Sequence, residues 1–260
     1  MEVHAHTHTE RKKWIHYLWE FLMLFLAVFC GFLAENQREH MVEHQREKQY
    51  MITMLEDLKA DTSLLNGTIK NWQEVNNSID SVADAIIFPL AEEDLSKVYR
   101  HINEAFNVWS FSFNDRTIAQ LKNSGGFRLI RNKAVASKII AYDQFNNDAV
   151  KNIAYFHSKF YENAMALRSK VFAENIITEI YRLYENSPAP PSVKPLIDSL
   201  IKKSIIPLTT ENQTSLMFEF KNSLIALKRD YDSNMSWGYS QLQKFITELI
   251  QMIRENYHLE

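Results

Sequence analysis

Residues Trp14–Ala34 read WIHYLWEFLMLFLAVFCGFLA, 21 positions of which the last 14, Phe21–Ala34, carry no charge. As a helix the whole stretch is about 31 Å long, the thickness of one hydrocarbon core, whereas its uncharged part reaches only about 21 Å. A spanning helix therefore brings Glu20 to one interface, with His16 one turn before it on the same face. Trp14, Tyr17 and Trp19 gather at that end as an interfacial aromatic belt, and Arg11, Lys12 and Lys13 stand just outside it. Arg38, Arg46 and Lys48 on the far side are interleaved with Glu35, Glu39, Glu43 and Glu47, so the positive-inside rule places the N-terminus in the cytoplasm. A cleavable signal peptide shares the basic start and apolar run. Cutting after Ala34 or Gly31, however, would set Phe32 or Phe29 where a small residue is wanted, and Phe29 before Cys30 spoils a lipoprotein-type signal. The segment is expected to stay as an uncleaved signal anchor.

Outward from this stretch the chain divides into a short His-rich cytoplasmic tail (1–13), the transmembrane helix (14–34) and a periplasmic domain (35–260). The 260 residues are 46% apolar and 23% charged, enough to build a core. Five glycines and six prolines are too few for the turns of an all-β sandwich and favour long helices. A net charge of −3 leaves no electrostatic footprint for nucleic acid, and the single cysteine, Cys30, makes neither an internal disulfide nor a CxxC site.

From Met51 the positions Met51, Leu55, Leu58, Thr62, Leu65, Ile69, Trp72, Asn76, Ile79, Ala83 and Ile86 alternate by four and three. This seam predicts one long, coiled-coil-like helix continuing from the membrane to Phe88, before Pro89, about 80 Å of it outside the bilayer. A second helix is expected from Glu92 to Asn107, with Leu95, Val98, Ile102, Ala105 and Phe106 inward. Val108–Phe113, VWSFSF, is too aromatic to lie free in water. Asn114 or Asp115 can cap a short helix, RTIAQLKN, which Ser124, Gly125 and Gly126 end. Asn132 caps a third long helix running to Asn186, with Val135, Ile139, Tyr142, Asn146, Ala149, Ile153, Phe156 and Phe160 along one face. Ser187–Pro195 is expected as a proline-rich loop before a short helix to Ser204. A final helix, Thr210 to Tyr257, carries Met217, Phe220, Leu224, Leu227, Tyr231, Leu242, Phe245, Leu249 and Met252. The expected fold class is all-α: one N-terminal membrane helix continuing into an antiparallel bundle of long helices with short connecting ones.

The run WEFLMLFLAVFCGFLAENQREH, Trp19–His40, followed by REKQYMITMLEDLKADT, resembles a family of uncharacterised bacterial single-pass membrane proteins. LKNSGGFRLIRNK, Leu121–Lys133, is similar to that family's second recurrent block. The resemblance implies a signal anchor, a helical domain and an envelope location, and carries no activity or site residue with it.

Candidate chemistry is sparse. Glu20, with His16, is an ionisable pair inside the apolar stretch and thus a candidate for proton response or for a partner helix; the plainer reading is a carboxylate snorkelling to the interface beside Lys12 and Lys13. His4, His6 and His8 alternate as metal ligands could, but ordering a flexible tail costs more backbone entropy than such a site readily offsets. HMVEH, His40–His44, matches the inverted zinc-peptidase pattern without a cleft or third ligand, and reads as a solvated face of Glu, His and Arg. Trp72, Trp109 and Trp237 read as packing residues. With no P-loop, Rossmann or nucleophile-elbow pattern, no enzyme and no cofactor is expected.

What remains is a structural or interaction protein of the inner membrane. Its seam, Leu55, Leu58, Leu65, Ile69, Trp72 and Ile79 among its members, wants a partner helix from within the chain, from a second copy, or from another envelope protein. The alternative is a ligand-sensing accessory subunit that signals through a partner membrane protein.

Overall fold

A computed structural model describes residues 14–88, 91–109, 111–185, 190–204 and 211–259. The described chain is all-α. Helix α1 runs unbroken from Trp14 to Ala85, 72 residues and about 108 Å. It stops three residues short of the expected Phe88. The seam is inward as its spacing implied: nine of its eleven positions are buried, and Thr62 and Ile69 are half-buried.

The second leg descends along α1 in pieces. Helix α2 (Glu92–His101) passes through a turn into a 3₁₀ turn, Glu104–Phe106, rather than continuing to Asn107. An extended stretch then leads to α3 (Arg116–Asn123) and a second 3₁₀ turn, Gly126–Leu129. Side-chain bonds track the descent: Asn71 donates to the Asn107 carbonyl at 3.0 Å, Asp61 accepts from the Asn114 amide at 2.7 Å, and Glu47 from the Arg131 amide at 2.7 Å.

Helix α4 (Lys133–Val171) climbs again, its first turn capped by Asn132, whose side chain accepts from the amides of Ala134 and Val135. The helix expected to reach Asn186 breaks at Phe172, which is extended (φ −114°, ψ 153°), and restarts as α5 (Glu174–Glu185). Tertiary contacts hold this break. The Phe172 ring sits between Tyr99 and Phe220, 5.4 and 5.2 Å away, the Ala173 amide donates to Tyr99 Oη at 3.1 Å, and Arg168 grips Glu174 with two hydrogen bonds.

Helix α6 spans Pro190–Ser204, so the expected proline-rich loop is helical from Pro190. Prolines at the first positions of a helix lose no hydrogen bond, and only Pro195 lies further in. The final leg descends as α7 (Glu211–Asn234), a π-helical turn over Met235–Tyr239, and α8 (Ser240–Tyr257), where one continuous helix was expected. A π turn takes one residue more than an α turn. Past it, Leu242 and Leu249 are buried as expected, whereas Ile246 and Ile253 take the buried places expected of Phe245 and Met252, which are half-buried.

The legs run up, down, up and down. Lys221, Lys228 and Gln243 of the final leg meet Ile86, Asp80 and Asn66 of α1 in antiparallel order, while Lys138 and Phe145 of α4 meet Glu248 and Phe245. Helices α5 and α6 close the end remote from the apolar segment, where Arg100 of α2 bonds Asp198 of α6 at 2.6 Å. The partner for the seam of α1 is thus this chain's own α2, α3, α7 and α8.

Several expectations fall differently. Trp72 is core, but Trp109 and Trp237 are 57% and 67% exposed and do not pack inward. Phe111 alone of the VWSFSF residues is fully buried among those described. His4, His6, His8, Arg11, Lys12, Lys13, Pro89 and Ser187 lie outside the described residues, and Ala149, Ile153 and Phe156 outside those whose side chains are described.

Candidate functional site

Two regions of α1 differ in what they touch. From Trp14 to Met41 every residue is exposed, including 15 large apolar side chains from Trp14 to Leu33. Each such side chain left in water forgoes about 1.5–3 kcal/mol, and together they forgo on the order of 20–45 kcal/mol, more than the net stability of a typical domain. One helix among the described residues is therefore long and apolar enough to cross a membrane, and it lies at the N-terminal end. His16 and Glu20 approach to 3.3 Å within it, one turn apart, with both side chains about half exposed. The belt residues Trp14, Tyr17 and Trp19 stand 78%, 55% and 60% exposed.

Contact with the bundle starts at His40. Glu47, one turn past His44, is 1% exposed, although its neighbours on the chain had suggested a solvated acid. Its Oε1 accepts from the Arg131 amide at 2.7 Å and from Tyr257 Oη at 2.6 Å. Its Oε2, which makes no hydrogen bond, lies 3.5 Å from His44 Nδ1 and 3.8 Å from Arg131 Nε. Burial, then the Glu47 bond and charge, push the Tyr257 hydroxyl pKa up, so it stays a donor. Arg131 also donates to the His40 carbonyl at 3.2 Å, and Asn132 to Asn256 Oδ1 at 2.6 Å. One buried carboxylate thus ties the start of the packed part of α1 to the foot of α4 and the end of α8.

The corner at Ser124–Leu129 makes the neighbouring contact. Gly125 takes φ +65°, the left-handed conformation that ends α3, and Tyr50 meets Ser124 Oγ at 3.2 Å. A Cβ on Gly126 would stand 3.0 Å from Leu121 and 3.2 Å from the Tyr50 ring, so a side chain here would have to push these neighbours aside by a few tenths of an ångström. Gly126→Ala is expected to cost about 1–3 kcal/mol. Gly67→Ala, where a Cβ meets nothing within 4 Å, should instead gain about 0.5–1 kcal/mol. Thermal unfolding of the full chain in detergent measures both, and equal shifts would contradict the packing of this corner.

Between α1 and this corner runs a groove of about 590 Å³. Its charged lining consists of Glu35, Arg38, Glu39, Glu43 and Arg46 from α1 and Arg128 from the corner. Arg38 is spent on Glu35, to which it donates from both Nε (2.9 Å) and Nη2 (2.5 Å), and this holds the Glu35 carboxyl pKa below its usual range. The side chains of Arg46 and Arg128 have no hydrogen bond or ion pair among the described residues.

Higher up, a second buried polar centre, Asp57 and Asp61, replaces the caps expected from Asn114 or Asp115. Asp57 Oδ2 accepts from the Thr117 amide at 3.0 Å and Oδ1 pairs with Arg116 at 2.8 Å. Asn114 Oδ1 adds only a local bond from the Arg116 amide at 3.2 Å. The N-terminus of α3 is therefore capped chiefly by a carboxylate from another helix.

His40 and His44 of HMVEH are both exposed, with Glu43 3.9 Å from His40 Nδ1, and no group of three metal-ligating side chains occurs among the described residues. Sequence reasoning missed Glu47, Asp57 and Asp61. A signal was present for two of them: Glu47, Met54, Asp61, Thr68, Val75 and Val82 recur every seven residues beside the seam, and all are buried. No family model, no curated protein and no solved structure matches this chain.

Proposed function

We propose that this chain is a single-pass protein of the bacterial inner membrane, with its N-terminus in the cytoplasm and its helical bundle in the periplasm acting as a protein-interaction module. The observation that carries the reading is α1 itself: an apolar, fully exposed segment passes without a break into the core of the bundle. Such a segment demands an apolar surrounding, and the basic residues Arg11, Lys12 and Lys13 before it favour the N-in orientation. The interaction role draws on the charged groove beside the segment.

The full chain is expected to fractionate with membranes and to resist carbonate extraction. In a Cys30→Ser background, Ser63→Cys, on the exposed side of α1, should react with a membrane-impermeant maleimide in intact spheroplasts. Recovery in the soluble fraction, or labelling of Ser63→Cys only after lysis, would overturn the location or the orientation respectively.

A further inference from the structure

The groove between α1 and the Ser124–Leu129 corner has a charge order along its length. Taking Ala34 as the last residue in the hydrocarbon, Glu39 and Glu43 stand about 8 and 14 Å above it along the helix, and Arg46 about 18 Å. With Arg38 committed to Glu35, the half nearer the apolar segment is acidic. The further half is basic, lined by Arg46 and Arg128, neither neutralised by any described residue. The α1 residues that line the groove extend from Glu35 to Thr53, about 27 Å or five helical turns, so its long direction follows α1.

Those lengths discriminate between occupants. The headgroup layer is only about 5–8 Å deep on each side of the hydrocarbon, so a lipid phosphate reaches Arg38 and falls short of Arg46. A free phosphate could meet the two arginines but leaves Glu39 and Glu43 facing water. A second copy entering the same bilayer presents its own α1 in parallel, acidic residues low and Arg46 high, so like charges would face each other along the groove. An α-helix leaving the membrane beside α1, with the opposite order, matches both ends and the direction of the groove.

We propose that this groove seats the juxtamembrane helix of a different membrane protein, one whose first two to three turns outside the bilayer carry Lys or Arg and whose next turns carry Asp or Glu. This assignment rests on the membrane reading above and names the chemistry of its partner. Two helices packed at 8–10 Å would bring the facing side chains into ion-pair range without rearrangement of the bundle.

The test places the full chain, dye-labelled at its N-terminus, in phosphatidylcholine nanodiscs with one of two designed probes, each labelled at its own N-terminus. Both probes have the same apolar span and an 18-residue helical extension of identical composition, basic-first in one and acidic-first in the other. Energy transfer at low salt is expected to report at least about tenfold tighter association of the basic-first probe. The quadruple variant Glu39→Lys, Glu43→Lys, Arg46→Glu, Arg128→Glu should reverse the preference; these side chains are exposed or half-exposed, and circular dichroism verifies the fold. Equal association of the two probes, or an order preference that the quadruple variant leaves unchanged, overturns the proposal. So does displacement of the probe by millimolar inorganic phosphate, or by phosphatidylglycerol added to the nanodisc, either of which would make the groove an anion site. A chain that does not enter nanodiscs sinks the membrane reading and this assignment with it, whereas a chain that enters and shows no probe preference sinks this assignment alone.

Discussion

Trp72→Ala is expected to remove about 3–5 kcal/mol of stability from the full chain in detergent, the largest loss of any single truncation considered. Trp72 is 2% exposed, with its ring centroid 5.0 Å from that of Tyr231 and 5.1 Å from that of Tyr239. Its Nε1–H donates to the Trp109 carbonyl at 2.9 Å, so truncation opens a cavity between α1, α7 and the π turn and also leaves that carbonyl without the indole donor. Trp72→Phe keeps most of the volume and should cost less than Trp72→Ala. Trp109→Ala and Trp237→Ala remove exposed rings and should each cost within about 0.5 kcal/mol. Chemical denaturation followed by circular dichroism ranks the four variants. A loss at Trp72 no greater than at Trp237 would mean that the junction of α1 with the final leg is not packed as described.

Asp61→Ala should follow, at about 2–4 kcal/mol. The carboxylate is fully buried; its Oδ1 accepts from the Asn114 amide at 2.7 Å and its Oδ2 from Tyr142 Oη at 2.6 Å. Alanine would leave both donors buried and unpaired, each at about 1–3 kcal/mol. Asparagine keeps an acceptor for the Asn114 amide and should cost less. Burial pushes the Asp61 pKa above the ordinary aspartate value of 3.8, against the two hydrogen bonds, which lower it. Between the unfolded and the raised native pKa, the native state retains a proton that the unfolded chain has released. Stability from this group is full below the unfolded pKa of 3.8 and declines as pH rises through the raised native value. The difference in unfolding free energy between wild type and Asp61→Asn should consequently fall as pH is raised from about 4; a difference that climbs over that range would refute the assignment.

These two sites mark how far the residues could be read without coordinates. Trp72 was legible because it lies in a four-three seam, a pattern set by the geometry of one helix. Asp61 was not: its seven-residue column beside the seam hints at burial, but nothing in that repeat says that the Asn114 amide would meet the carboxylate there. Burial of Glu47, Asp57 and Asp61 is favourable only where donors meet them, and those donors, Arg131, Tyr257, Thr117, Asn114 and Tyr142, come from segments far along the chain. The Asn132 cap and the Gly125 stop, by contrast, follow from bonds and dihedrals within a few residues.

From the residues alone came the helical class, the apolar segment at Trp14–Ala34, the length of α1 to within three residues, its inward face and the glycine stop of the short helix at Arg116–Asn123, since each depends on periodicity or local backbone geometry. Tertiary structure alone decided which helices fill the seam, where the third and last helices break, that the proline-rich stretch is helical from Pro190, and that Trp109 and Trp237 face outward. Phe172 leaves the helix because Tyr99 and Phe220 give its ring a better place, and the π turn sets Tyr239 against Trp72. Choices of this kind are made by partners about 50 to 170 positions away, and no local pattern encodes which of them will be near.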